Sequence, residues 1–89
     1  MISQDIQLIN RLGLHARASA KLVKTASGFK SSIEIGRHGQ MVNAKSIMGV
    51  MMLAAAYGAE LKIQVEGTDE ELAMDAMTDL INRKFDEED

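Results

Sequence analysis

The stretch Leu61-Lys62-Ile63-Gln64-Val65-Glu66 decides the fold class, because apolar residues alternate in it with polar or charged ones at every position. A period of two residues predicts a β-strand with one face in the core and the other in water. The same alternation occurs at 2–8 and 33–35. The turn-forming residues of 36–40 predict that 41–43 returns as the second arm of a hairpin, which gives four strands.

The segments between these strands predict three helices. The first is expected over 16–26, with Ala16, Ala20 and Val23 as candidates for its inward face, and the second begins after Ser46. The third is opened by Thr68-Asp69-Glu70-Glu71, where capping residues precede acids that suit the positive end of the helix dipole. The order is therefore β-α-β-β-α-β-α. Strands with one face in the core and the other in water favour an α+β two-layer sandwich whose sheet is antiparallel or mixed.

Length and composition predict a single domain over 1–89. The chain has 46% hydrophobic residues and no cysteine, which excludes a disulfide framework and a thiolate zinc site. Its start lacks the features of a secretion signal, and its longest apolar stretch, 47–57, is too short to cross a bilayer. We therefore expect a cytoplasmic protein with no membrane partner. Phe85 is expected to make the last core contact before a solvated acidic tail, Asp86-Glu87-Glu88-Asp89.

Charge is distributed unevenly along the chain. Residues 1–45 carry a net charge of +5 and residues 46–89 a net charge of -8. Arg17, Lys21 and Lys24 recur at helical spacing, so they share one side of the first helix and could attract an acidic partner. The alternative is an ordinary solvated helix face.

The segment Gly13-Leu14-His15-Ala16-Arg17 places an imidazole at the start of the first helix, beside a guanidinium. Backbone N–H groups at a helix start have no partners within the helix and attract anions. Histidine is a poor helix cap, so this arrangement suits a phosphate carried on the ring, although an inert surface histidine remains the alternative. His38, in the predicted turn, has no second ligand residue nearby and is expected to be inert, so no metal site is predicted.

Several motifs of phosphate chemistry are missing. The sequence has no phosphate-binding glycine loop of either common type and no carboxylate cluster suited to Mg²⁺, so the chain is expected to receive phosphate rather than to activate ATP, and no cofactor is predicted. A hydrolase of the Ser/His/Asp type would need an acid positioned against the histidine, and a small two-layer domain offers little depth for a pocket.

Two segments together resemble one known family. Gly13 to Arg17 is similar to the active-site motif of the HPr family, the histidine-containing phosphocarriers of the bacterial phosphoenolpyruvate-dependent phosphotransferase system. The stretch Asn43-Ala44-Lys45-Ser46-Ile47-Met48-Gly49-Val50-Met51 is similar to the regulatory-serine motif of that family. The resemblance covers the whole chain. It implies an open-faced sandwich in which three helices cover one face of a four-stranded antiparallel sheet.

The resemblance also implies residue roles in a carrier that is not itself an enzyme. His15 would accept phosphate from phosphorylated enzyme I and pass it to an EIIA component, with Arg17 and the backbone N–H groups of Ala16 and Arg17 holding the anion. Ser46 would be phosphorylated by HPr kinase/phosphorylase, and it is also a good helix cap. The surface expected to dock these partners comprises Leu14, Ala20, Lys21, Lys24, Ile47, Met48 and Met51.

One departure and two alternatives accompany this hypothesis. Ala18 stands where the family usually has proline, which leaves the helix start less constrained. The same histidine would serve a nitrogen-type regulatory phosphocarrier that moves no sugar. A small nucleic-acid-binding domain is the alternative of a different class, but Phe29, Tyr57 and Phe85 are the only aromatic residues, so we expect no nucleic-acid partner. The chain is also expected to be a monomer.

Overall fold

The computed structural model describes residues 1–87. Glu88 and Asp89 of the predicted acidic tail lie outside the described residues. The elements follow the predicted order, with a short 3-10 turn after the last helix. They are β1 (Ile2–Gln7), α1 (Ala16–Ser27), β2 (Ser32–Arg37), β3 (Gln40–Asn43), α2 (Ile47–Met52), β4 (Glu60–Glu66), α3 (Glu70–Asn82) and η1 (Lys84–Asp86).

The four strands form one sheet in the order β1-β4-β2-β3, and every neighbouring pair is antiparallel. The structure therefore resolves the choice between an antiparallel and a mixed sheet. Within β4, Leu61, Ile63 and Val65 are buried, whereas Glu60, Lys62 and Glu66 are exposed. The predicted alternation is confirmed, and one face of the sheet is covered while the other is open to water.

The hairpin between β2 and β3 is tighter than the sequence indicated. Its loop consists of His38 and Gly39, which have φ values of 53° and 80°. Two positive φ values match the twist of a two-residue antiparallel hairpin. The outer residues of the predicted turn, 36–37 and 40, belong to the strands.

The helices bury apolar residues against the sheet. In α1, the expected inward positions of Ala16 and Ala20 are wrong: both are exposed, whereas Val23 packs against the core. The helix turns its buried residues, Ala18, Ser19, Leu22 and Ala26, toward the core. In α3 the buried residues are Ala73, Met74, Met77, Leu80 and Ile81. Phe85 is fully buried, as predicted, so the turn after α3 is fixed to the core.

The start of α3 differs from the expected cap. Asp69 occupies the cap position but makes no side-chain bond to the helix. Its carboxylate instead accepts hydrogen bonds from the backbone N–H groups of Lys30 and Ser31, each at 2.9 Å, and from the Ser31 hydroxyl. Asp69 therefore fastens the segment before β2 to the start of α3.

Candidate functional site

His15 lies directly before α1 with an extended backbone, at the position of the helix cap. Its Nδ1 accepts a hydrogen bond from the backbone N–H of Arg17 at 3.2 Å. The ring thus does what a serine or aspartate oxygen does at other helix starts, since a neutral imidazole nitrogen is also an acceptor. The predicted placement of the histidine at the helix start is confirmed, and 28% of its side chain is accessible.

The loop before His15 is held by the segment that follows α2. The backbone N–H of Leu14 donates to the Ala55 carbonyl at 2.9 Å. Gly13 has a φ of +67°, and a Cβ at this position would approach the same carbonyl oxygen to 2.5 Å. Only glycine fits here without a shift of the backbone. These contacts fix where His15 stands relative to α2.

Leu14 is a correction to the predicted docking surface. Its side chain belongs to the core, with 6% exposure, because the backbone bond to Ala55 draws this residue inward. A side chain buried in this way is not available to a partner. The Ser19 hydroxyl, which is also buried, donates to the Leu14 carbonyl at 3.2 Å and so ties the loop before His15 to α1.

The site contains a residue that sequence reasoning missed. Glu87 was expected in the solvated tail, yet its side chain is only 12% exposed. One carboxylate oxygen, Oε2, contacts the Nε2 of His15, and the other, Oε1, accepts a hydrogen bond from the Asn10 side chain at 3.0 Å. A separation of 72 residues joins Glu87 to His15, so no local spacing could have indicated the pair.

The surroundings of Glu87 favour its ionised form. Burial alone would raise the pKa of this carboxyl group. Hydrogen bonds from His15 and Asn10, together with the electrostatic interactions with His15 and Lys21, outweigh that effect and bring the pKa of Glu87 below its ordinary value. An anionic carboxylate therefore lies against the ring at neutral pH.

The basic residues predicted on one side of α1 differ in their surroundings: one is half-buried and bonded to the chain, and two are exposed. Lys21 is half-buried, and its Nζ donates to the Phe85 carbonyl at 2.7 Å, so this ammonium group fastens the turn after α3. Arg17 and Lys24 are exposed. An open depression of about 810 Å³ lies beside the ring and is lined by Arg11, Leu12, His15, Ala16, Arg17, Lys21, Asp86 and Glu87.

Ser46 and α2 form the second predicted region. The Ser46 hydroxyl accepts a hydrogen bond from the Gly49 N–H at 3.2 Å, which confirms its role as the cap of α2. Only Val50 of this helix is buried, so the remaining apolar side chains face outward. The exposed large apolar side chains include Ile47, Met48 and Met51, as expected, and also Leu12, Met52 and Tyr57, which the sequence analysis did not single out.

His38 lies apart from this chemistry. It is exposed in the β2–β3 turn, and its Nε2 lies 3.3 Å from the Arg37 guanidinium. Among residues 1–87, no group of three histidine or acidic side chains is arranged to hold a metal ion.

The open sandwich thus presents an accessible histidine at a helix start, beside a depression that is open to solvent. A family model described as the PTS HPr component phosphorylation site matches residues 2–83. The phosphocarrier protein HPr of Neisseria meningitidis serogroup A is 54% identical over 87 residues, and that of Cupriavidus necator is 52% identical over 87. Each alignment covers 98% of both chains.

Solved structures agree with these relatives. The crystal structure of HPr-C-His from Thermoanaerobacter tengcongensis has a TM-score of 0.95 at 48% identity and covers 99% of both chains. An HPr dimer from the same organism has a TM-score of 0.79 at 47% identity, covering 98% of this chain and all of that one. The chain belongs to the HPr family, the phosphocarrier proteins of the phosphotransferase system.

None of the helices within residues 1–87 combines the length and the apolar character needed to cross a membrane.

Proposed function

We propose that this chain accepts a phosphoryl group on His15 from phosphorylated enzyme I and passes it to an EIIA component. The observation that supports this proposal is the placement of the ring at the start of α1, where the first turn contains no acidic residue. The backbone N–H groups of Ala16 and Arg17 and the guanidinium of Arg17 would hold the phosphate by charge-assisted hydrogen bonds.

The contacts of the ring indicate which nitrogen reacts. Nε2 faces an acceptor, the Glu87 carboxylate, and Nδ1 faces a donor, the Arg17 N–H. The proton of a neutral ring therefore belongs on Nε2, and the lone pair is on Nδ1. In the transfer, Nδ1 forms the new bond to phosphorus while the bond between phosphorus and the donor breaks, and its electron pair leaves with the donor.

An exposed helix start suits a carrier that must exchange phosphate with two partners. The ring and the depression beside it are open, so an in-line approach does not require a lid to move. The exposed apolar side chains of α2 offer a docking surface, and the flexible methionines Met48 and Met51 can adapt to different partners. We place this exchange in the cytoplasm.

The test is phosphorylation by enzyme I and phosphoenolpyruvate, followed by mass spectrometry. We expect an acid-labile phosphate on the wild-type chain and none on His15→Ala. The matched control is His38→Ala, which removes the other histidine from an exposed turn and should be labelled like the wild type. Full labelling of His15→Ala would contradict the proposal.

The same assay separates the two branches of the family. Purified sugar-type and nitrogen-type enzymes I are compared as donors, and faster labelling by the nitrogen-type enzyme would favour the regulatory phosphocarrier. Nucleic-acid binding gains no support, since within residues 1–87 none of the three aromatic residues lies on a strand.

For Ser46 we propose regulatory phosphorylation by HPr kinase/phosphorylase. The hydroxyl lies at the start of α2, beside the exposed Ile47 and Met48, so a phosphate there would add negative charge to the docking surface. Incubation with that kinase and ATP should label the wild type but not Ser46→Ala. Absence of label on the wild type would remove the regulatory role.

A further inference from the structure

The carboxylate that touches His15 is held from two sides. Glu87 meets the ring through Oε2 and the side chain of Asn10 through Oε1. Asn10 is fully buried, and its Nδ2 also donates to the Gly13 carbonyl at 2.8 Å. The Oδ1 of Asn10 finds no hydrogen-bond donor among residues 1–87, so the two bonds of Nδ2 determine how this amide is turned.

The turn that supplies Glu87 is itself fastened at several points. Phe85 is buried, and its carbonyl accepts a hydrogen bond from Lys21. Lys84, Phe85 and Asp86 have φ values of 57°, 55° and 61°, in the left-handed region that residues with a Cβ rarely occupy. Such a conformation persists only where the surroundings hold it, and it is found most often near functional sites.

We propose that Glu87 is a positioning residue for phosphoryl transfer, which holds the imidazole of His15 with Nε2 as the donor and Nδ1 facing the start of α1. This inference rests on the proposed phosphocarrier function. Two independent contacts, one on each ring nitrogen, specify the same tautomer and the same ring orientation. With the ring held by these two contacts, the lone pair of Nδ1 points toward the N–H groups at the start of α1, which would also bind a phosphate.

Glu87 also has a role while the new bond forms. When Nδ1 bonds to phosphorus, the bond to the donor breaks and the ring gains positive charge, while the proton on Nε2 stays in place. An ionised carboxylate against Nε2–H stabilises that charge, as the buried acid does for histidine in hydrolase triads. The pKa of Glu87 lies below its ordinary value, so burial against the ring does not neutralise the carboxylate at neutral pH. The Arg17 N–H, released from Nδ1, becomes available to a phosphate oxygen.

The kinetic test uses the full chain as the substrate of phosphorylated enzyme I. Glu87→Ala should lower kcat by about tenfold with KM unchanged, because the ring is less well oriented while the docking surface is intact. Glu87→Gln should retain part of the rate, since its side-chain oxygen can still accept from Nε2–H. Asp75→Asn, which removes one exposed carboxylate from α3, is the matched control and should behave as the wild type.

A second measurement does not depend on phosphorylation. The ¹⁵N chemical shifts of the neutral His15 ring, recorded at alkaline pH, should show a protonated Nε2 and an unprotonated Nδ1 in the wild type. In Glu87→Ala both shifts should move toward the values of a ring that exchanges between tautomers. Thermal melts of all variants show whether each one is folded.

The outcomes distinguish the inference from the function on which it rests. If Glu87→Ala had the kcat of the wild type, the contact between Glu87 and His15 would have no role in transfer. If its kcat were higher, the contact would be inhibitory. Either result would overturn the proposal, and so would ¹⁵N shifts that do not change in Glu87→Ala. If enzyme I fails to label the wild type while the ¹⁵N shifts still change in Glu87→Ala, the phosphocarrier function fails but the positioning of the ring by Glu87 stands.

Discussion

The starts of α1 and α3 are built from opposite chemistry. At α3 the cap is Asp69 and the first turn contains Glu70 and Glu71, so acidic side chains lie at the positive end of the helix dipole. At α1 the cap is His15 and the first turn has no acid. The positive end of the α3 dipole is thus balanced by acidic side chains of the chain itself, whereas that of α1 is left able to receive an anion from outside.

The difference extends to what each cap residue binds. The Asp69 carboxylate turns away from its helix and fastens Lys30 and Ser31, which is a structural task. His15 stays on its helix through Arg17 and meets Glu87 with the other ring nitrogen. The start of α3 therefore serves the stability of the fold, whereas the start of α1 is the one at which we propose phosphoryl transfer.

The largest expected effect, on the rate of His15 phosphorylation, comes from giving the first turn of α1 an acidic residue like those in the first turn of α3. Arg17→Glu places an acid in the first turn of α1 and removes the guanidinium. Phosphorylation of His15 by enzyme I should fall by about 100-fold, because a donor of charge-assisted bonds is lost and a like charge is added. Initial labelling rates measure this effect.

The reciprocal change at α3 is the control for that experiment. Glu71→Arg places a cation in the first turn of α3 and should cost about 0.3–1 kcal/mol of stability while leaving the labelling rate unchanged. If Arg17→Glu were labelled at the wild-type rate, the contrast between the two helix starts would have no functional meaning.

An effect of intermediate size is expected on the stability of the fold, which should depend on pH through the ionisation of Asp69. Hydrogen bonds from the Ser31 hydroxyl and the Lys30 N–H lower the pKa of Asp69 below its ordinary value of 3.8. The folded state therefore binds this proton less readily than the unfolded state does. The stability that Asp69 contributes is complete above pH 3.8 and is lost as the pH falls from there through the lowered pKa.

Urea unfolding between pH 2 and 6 tests this dependence. The variant Asp69→Asn should be less stable than the wild type at pH 6, and the difference should shrink toward pH 2. A difference that stays constant over this range would show that the charge of Asp69 does not stabilise the fold. Phosphorylation of His15 at neutral pH should be unaffected, since Asp69 belongs to the other helix start.

The smallest effect is expected at Ala18. Proline is tolerated in the first turn of a helix, where the backbone N–H has no partner within the helix, and it restricts the unfolded chain. Ala18→Pro should raise the free energy of unfolding by about 0.5 kcal/mol and change the labelling rate less than twofold. A loss of stability would mean that the buried position of Ala18 has no room for the ring.

Much of the fold could be predicted from local patterns. The alternation in β4 and the glycine-containing turn specify strands and a hairpin because each signal spans only a few residues. The strand order could not be predicted in the same way, since β4 lies between β1 and β2 and its pairs join distant parts of the chain. The resemblance to a known family supplied the antiparallel sheet with three helices on one face, but not the order of the strands.

The site was predictable only in part. Gly13, His15 and Arg17 are neighbours in sequence, so the helix start could be recognised directly. Glu87 was assigned to the solvent because its neighbours are acidic, but the burial of Phe85 and the bonds of Lys21 and Asn10 bring it back to the ring. Asp69 matched a capping pattern, but nearby N–H groups of another segment were better placed to bind its carboxylate.

The bond between the Leu14 N–H and the Ala55 carbonyl has a consequence for recognition. It holds the exposed surface of α2 and the imidazole of His15 in a fixed position relative to each other. In the proposed transfer, a partner that docks on α2 would therefore meet the imidazole at a fixed position and orientation. Side chains on α2 could then differ, and so select other partners, without moving the proposed site of phosphate exchange.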